Sequence, residues 1–313
     1  MANSIFLKFD NLERPVQFSD CEDLIRYFPL IFPGWEISEL PQNEHSPVVN
    51  VLRNSNGDYE ITADWLDKKV VCREEVDALC TLVARVVKAR TMEDMDLLCL
   101  HGAAVEIGSA LVIFPNKYRA GKSVLTACLA AAGYRVYCDD VLPISLDTGK
   151  GIAPGLAPRL RFPYPDNLED DTREFIESRI ALKGKRYHYL DLRQDELASR
   201  GTTAPIGAFV FLDRTQGAET DLATVSEAEV LKRVVWQNFA REVDAPSILS
   251  RLGQIVSHAQ SFVLRFDRAD DAVDLLAEKF QRQDLPDLEA VERDIIAPVS
   301  YTHLTLPTIT SGC

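Results

Sequence analysis

The chain has 313 residues, 46% of them hydrophobic and 26% charged, with a net charge of −14. That length allows one large or two modest domains around a buried core, and the composition is ordinary for a soluble globular protein. The acidic balance argues against a nucleic-acid binder, whose footprint is a basic patch, and against an anionic membrane surface as partner.

No run approaches 18 uninterrupted apolar residues, so no membrane span is expected. The first ten residues lack the basic-then-apolar order of a signal peptide. Seven cysteines (21, 72, 80, 99, 128, 138 and 313) are scattered without a C-x-x-C, several inside apolar runs. Buried free thiols in a reducing cytoplasm fit that pattern, with neither zinc nor a disulfide framework signalled.

Residues 1–92 read as a small α+β domain. Ile5–Phe9 alternates like a strand, and Pro47–Leu52 and Tyr59–Thr62 are further strands, with Asn56-Gly57 supplying a hairpin-type turn. Val76, Leu79, Cys80, Leu82, Val83, Val86 and Val87 form an apolar stripe on a helix closing near Arg90. The acidic Glu93–Asp96 marks a junction. From Leu97 strands and helices alternate: Leu97–Leu100, Ala103–Ile107 and Ala110–Phe114 are strands, and 121–132 is a helix stopped by Gly133 as C-cap.

Tyr134–Cys138 is the next strand and runs straight into Asp139-Asp140. The Pro/Gly-rich stretch 151–165 predicts an irregular loop beside a site. Helices are expected near 169–182, 226–241, 245–258 and 270–283, with strands near 186–192, 206–212 and 261–266. His188 reads as one face of a strand, and Trp236 and Phe239 as core. Residues 93–297 thus form an α/β domain with a mixed sheet. Pro298–Cys313 contains no Asp, Glu, Lys or Arg and resembles a translated sequencing adapter, so 298–313 is set apart as a non-native tail.

The segment Asn116-Lys-Tyr-Arg-Ala-Gly-Lys-Ser123 follows a strand and opens a helix, the arrangement of a P-loop, G-x-x-x-x-G-K-[ST]. In such a loop, backbone N–H groups wrap a phosphate at a helix N-terminus, where the helix dipole favours negative charge. The lysine adds a point charge and the serine hydroxyl ligates Mg²⁺. The candidate nucleotide-binding residues are therefore Asn116, Lys117, Tyr118, Arg119, Ala120, Gly121, Lys122, Ser123 and Val124. Asn116 stands where the motif has its first glycine, and asparagine tolerates left-handed φ better than most residues. Arg119, though bulky, could add a phosphate contact, and Arg159 and Arg161 could clamp phosphate or acceptor.

His101-Gly102 precedes this loop and Asp139-Asp140 ends the following strand. A carboxylate at a strand's carboxyl end beside such a loop is where Mg²⁺ is held, and a second can accept the proton of an attacking hydroxyl. Adjacent acids at a strand end project in opposite directions, so one can face metal and the other substrate.

Leu100-His-Gly-Ala-Ala-Val105, the loop, and Gly133-Tyr-Arg-Val-Tyr-Cys-Asp-Asp-Val141 together resemble the catalytic domain of the bacterial HPr serine kinase/phosphorylase family. The offsets, 21 residues from His101 to Lys122 and 17 from there to Asp139, look like the family spacing. The resemblance is good over 97–145 and weak through Ala153-Pro-Gly-Leu156 and Ala204-Pro-Ile-Gly207. It implies a P-loop kinase domain with a mixed sheet, using ATP and Mg²⁺. Lys122 would act on the β/γ-phosphates and Ser123 on Mg²⁺. Asp139 and Asp140 would share metal binding and proton acceptance, with His101 tuning the base.

The expected function is transfer of the γ-phosphoryl group to a hydroxyl, serine first, on a protein or small molecule. ATP and GTP fit the loop equally, and the family tendency is toward homo-oligomers. The alternative is a nucleotide-binding regulatory protein that has lost turnover. It is favoured by the altered loop and by the lack of a counterpart to the acid the family carries in its Gly-Leu segment. A third reading, a P-loop NTPase coupled to conformational change, is supported by the loop alone.

Overall fold

The computed structural model describes residues 4–41, 46–115, 120–239 and 243–281. The expected non-native tail and loop residues Asn116, Lys117, Tyr118 and Arg119 lie outside the described residues.

The first part of the chain folds into a six-stranded sheet. Its strands are β1 (Ser4–Phe9), β2 (Val16–Ser19), β3 (Ile37–Leu40), β4 (Val49–Arg53), β5 (Tyr59–Ala63) and β6 (Val70–Cys72), in the order β3-β1-β2-β4-β5-β6. Only β2 and β4 run parallel. Short helices α1 (Glu22–Ile25) and α2 (Phe28–Ile31) follow β2, and α3 (Glu75–Glu93) packs its apolar stripe, Leu79, Leu82 and Val86 all fully buried, into the same core. Phe9, Phe28 and Phe32 within this core and Trp35 against it pack ring against ring, edge to face except for the tilted Phe9–Phe28 pair.

A second mixed sheet holds β8 (Ala103–Ile107), β9 (Ala110–Phe114), β10 (Arg135–Cys138), β17 (Ile206–Arg214), β18 (Asp221–Thr224) and β19 (Gln260–Phe266), ordered β10-β8-β9-β17-β19-β18. Its centre, β9-β17-β19, is parallel. The unbroken run of β9 follows from cover on both faces. Val112 and Phe114 enter one core, which they share with α4 (Lys122–Ala131) and α8 (Ala269–Gln281), while Leu111 and Ile113 enter another. That second core is closed by α6 (Glu227–Gln237), α7 (Ala245–His258) and an antiparallel sheet of β7 (Leu97–His101), β11 (Val141–Ser145), β12 (Gly151–Ile152) and β16 (Thr203–Ala204). Beside α5 (Asp170–Arg179), β13 (Arg159–Arg161), β14 (Ile180–Lys183) and β15 (Tyr187–Leu190) complete the fold as a three-stranded sheet.

Three expectations need correction. The stretch 151–165 is not wholly irregular, because backbone pairing to Thr203–Ala204 and to Tyr187–Tyr189 makes β12 and β13 of it. The helix expected over 169–182 ends at Arg179, where the chain turns extended at Ile180 and pairs with β15. Trp236 is 82% exposed rather than core, since α6 buries Val230 and Val234 on its other side. Phe239 is partly buried against the first core, and His188 is buried on β15 with its ring stacked on Phe162. Of the described cysteines, five are buried and Cys80 is half-buried, all as free thiols. No helix among the described residues is long and apolar enough to cross a membrane.

Candidate functional site

Two chain crossings between neighbouring sheets build the site. At Gly102 the chain leaves β7 for β8, and at Asp139-Asp140 it leaves β10 for β11. Pairing of β11 with β7 sets Val141 opposite His101, and the Gly102 N–H donates to the Asp140 carbonyl at 3.0 Å. A Cβ at Gly102 would stand 3.1 Å from the Phe114 carbonyl oxygen and 3.2 Å from Pro115 Cα. Only glycine lets the chain pass so close to the end of β9, where the 116–123 loop begins.

The loop delivers α4 through Gly121, whose φ of +90° is left-handed and which occupies the N-cap. At the other end, Gly133 N–H bonds the Ala130 carbonyl and Tyr134 N–H that of Leu129, a Schellman closure. The first turn of α4 thus points its N–H groups and the positive end of its dipole at the crossing residues.

The side chains form a connected chain. Lys122 Nζ lies 3.5 Å from His101 Nε2, His101 Nδ1 lies 3.3 Å from Asp140 Oδ1, and Arg159 Nη2 donates to Asp140 Oδ2 at 2.7 Å. Ser123 Oγ lies 3.5 Å from Asp139 Oδ2, which also accepts the Arg159 backbone N–H at 3.1 Å. Lys122 and Asp139 are each 8% exposed, whereas the Asp140 side chain is about a third exposed, at 36%.

Burial lowers the His101 pKa, with Asp140 pulling it the other way, so the ring is neutral at pH 7. An ammonium has only donors, so His101 Nε2 accepts from Lys122 and Nδ1–H faces Asp140. Burial also lowers the Lys122 pKa, against the pull of Asp140 and Asp139. Burial first and the Asp140 charge second push the Asp139 carboxyl up to about 6.

These groups line a cleft of about 920 Å³ that also takes in Ala120, Val124, Arg161, Tyr164, Tyr187 and Arg214. All the described members of the sequence-derived set, Ala120, Gly121, Lys122, Ser123, Val124, His101, Asp139 and Asp140, meet in this one cleft. Arg214 escaped the sequence reading. It ends β17, the parallel neighbour of β9, and its Nε donates to the Asp267 carbonyl just beyond β19. The carboxyl ends of the parallel strands β17 and β19 therefore open on the cleft, and that rule of open α/β sheets is the signal that could have found Arg214. Tyr187 carries the guanidinium groups of Arg159, Arg161 and Arg186, each within 6 Å of its ring centre.

No family model matches the chain, and no curated protein is similar to it. Among solved structures, the HPr(Ser) kinase/phosphatase from Coxiella burnetii is similar at 12% identity and a TM-score of 0.31, over 64% of this chain and 99% of that one. Likeness at that level assigns no residue a role.

Proposed function

We propose that the protein is an ATP-dependent kinase that transfers the γ-phosphoryl group to a hydroxyl, serine first, on a protein or small molecule. The observation that carries this reading is the meeting, at the N-terminus of α4, of Lys122, Ser123, Asp139, Asp140 and His101 in one cleft. A cleft of about 920 Å³ is of the size that holds a nucleotide.

The residues suit Mg²⁺ and a triphosphate. Gly121 adopts the left-handed turn that lets backbone N–H groups approach a phosphate, and α4 offers its dipole to negative charge. Ser123 Oγ and the Asp139 carboxylate, 3.5 Å apart, form an all-oxygen donor pair. That chemistry selects a hard cation which keeps waters and phosphate oxygens in its remaining positions. Mg²⁺–ATP, when bound, supplies the transferable phosphoryl group and the charge that offsets the leaving oxygens.

Lys122 brings a buried positive charge to the phosphates, and burial strengthens it by excluding water. Asp140, the more exposed acid, receives the acceptor hydroxyl's proton. Arg159 and the neutral His101 ring hold its carboxylate in place. Asp139 and Ser123 would together hold the metal ion.

The test is ATP binding and ATP consumption by the full chain with Mg²⁺, beside Lys122→Ala, Asp139→Asn and Asp140→Asn. Wild type is expected to bind and slowly consume ATP. Lys122→Ala should lose affinity, while Asp140→Asn keeps binding and loses turnover by roughly 10²-fold or more. A wild-type chain that binds no nucleotide ends the proposal. Binding without any turnover transfers support to a regulatory nucleotide-binding protein. One observation favours that outcome: both carboxylate oxygens of Asp140 already face partners, His101 and Arg159.

A further inference from the structure

A second cavity, about 250 Å³, shares Asp139, Asp140 and Arg159 with the nucleotide-side cleft, and its other walls are different. Helix α3 supplies Val83, Ala84 and Val87, the loop after β12 supplies Leu156 and Ala157, and Phe239 closes it. The lining is mainly apolar, yet α3 also contributes two cations, Arg85 and Lys88. Arg85 Nε is buried and makes no hydrogen bond among the described residues.

We propose that this cavity is the acceptor site, and that the acceptor is a small hydroxylated organic anion with an apolar body. The inference rests on the kinase reading above and names its substrate class. Because both cavities are lined by Asp139, Asp140 and Arg159, a hydroxyl held at that shared wall would lie beside Asp140. The apolar walls take the body of the molecule, and the Arg85 guanidinium takes a carboxylate or phosphate at its other end. In the reaction the acceptor oxygen forms a bond to the γ-phosphorus, and the bond from that phosphorus to the β–γ bridging oxygen breaks. ADP leaves with that electron pair, and the hydroxyl proton passes to Asp140. The volume lies just below the range of drug-sized pockets, which suits a molecule of metabolite size. The N-terminal sheet and its helix thereby gain a task, because α3 forms one wall of the pocket beside Asp139 and Asp140.

The probes are 6-hydroxyhexanoate and 4-(hydroxymethyl)benzoate, each beside its neutral methyl ester, with the full-length protein. Calorimetry without nucleotide reads binding, and label from γ-phosphate-labelled ATP reads transfer to the probe. At least one acid is expected to bind and become phosphorylated, with its ester bound roughly tenfold or more weaker. Ala84 is exposed, so Ala84→Trp fills the cavity without burdening the core and should abolish both signals. Arg85→Gln should raise the acid's KM about tenfold with kcat kept. Each variant's melting temperature is compared with wild type, so that loss of fold is not read as loss of the site. Absence of binding by both acids, or binding that Ala84→Trp leaves unchanged, overturns the proposal. So does binding without transfer in a protein that consumes ATP, or transfer confined to protein substrates. If ATP itself is neither bound nor consumed while the acids bind in an Ala84-dependent way, the kinase reading has failed and the acceptor role falls with it.

Discussion

Asp139 shows how one residue couples stability to function. In an unfolded chain an aspartate titrates near 3.9, whereas burial and the Asp140 charge raise Asp139 to about 6 in the fold. Between those values the folded chain binds more protons than the unfolded one, so stability falls as pH rises from about 4 to about 6 and stays reduced above. Asp139→Asn keeps an acceptor for the Arg159 N–H but carries no charge. It should stabilise the metal-free protein at pH 7.5 by on the order of 1–3 kcal/mol and leave pH 4 nearly unchanged. Thermal unfolding at the two pH values checks this, and an equal shift at both would refute the electrostatic account. By the same logic, Mg²⁺ affinity should climb as pH rises through about 6, because the ion must displace Asp139's proton. Trp236 makes the opposite case: at 82% exposure, Trp236→Ser should move stability by no more than about 0.5 kcal/mol. Its sequence context suggested core, because a tryptophan in a helical stripe carries no mark of which face the tertiary fold covers.

Glycines set how the elements around the site meet, and two of them separate local strain from site geometry. Gly133 closes α4 at φ +87° with open space around a would-be Cβ. Gly133→Ala should cost about 1–2 kcal/mol from the left-handed backbone alone and leave nucleotide affinity intact. Gly102 lies where β7 passes to β8, and an added Cβ would press on the Phe114 carbonyl, which leads into the loop. Gly102→Ala should therefore weaken nucleotide binding roughly tenfold or more, through displacement of the loop against Asp140. Melting curves and ATP titrations of the two variants should move in different proportions, and equal losses of affinity would refute the distinction. Such elements were legible to the extent that their signals are local. The run at 110–114 reads as a strand because both faces are covered, and α4 is framed by its glycines. Strands β2, β3 and β6 were missed because three or four residues carry no period, and β13 because its pairing comes from residues far along the chain. In the site, His101 entered through the family resemblance, while Lys122 was legible from the loop motif and the acids from their place at a strand end. Arg214 and the α3 wall were not, since only the folded sheet order brings them near.

At the scale of the molecule, we propose that 1–92 and the α/β part from 93 onwards are two folding units joined by a stiff seam. Leu156, Ala157, Leu182 and Tyr189 of the later part are buried within the core of the earlier part. Trp35 Nε1–H donates to the carbonyls of Pro154 and Gly155 at 2.9 and 2.8 Å. Arg200 spans the seam twice, paired with Asp10 and lying over the Trp35 ring, and Ala157 N–H reaches the Ile31 carbonyl at 3.0 Å. Tyr189 Oη also reaches Cys80 Sγ at 3.5 Å, which ties α3 itself to the later part beside the second cavity. Wild type should unfold in one transition, with Trp fluorescence and far-ultraviolet circular dichroism coinciding. The double variant Trp35→Phe with Arg200→Ala keeps the ring packing against Phe9 and Phe32 but removes the hydrogen bonds and the ion pair. It should lose about 1–3 kcal/mol, lowering the melting temperature by several degrees. Made in a Trp236→Ser background, its two signals should also separate, because Trp65 is then the remaining tryptophan and reports the first core, while circular dichroism reports both parts. Coincident transitions in the double variant would mean that the buried apolar contacts alone make the chain one cooperative unit. The polar contacts across the seam would then serve to orient α3 rather than to hold it.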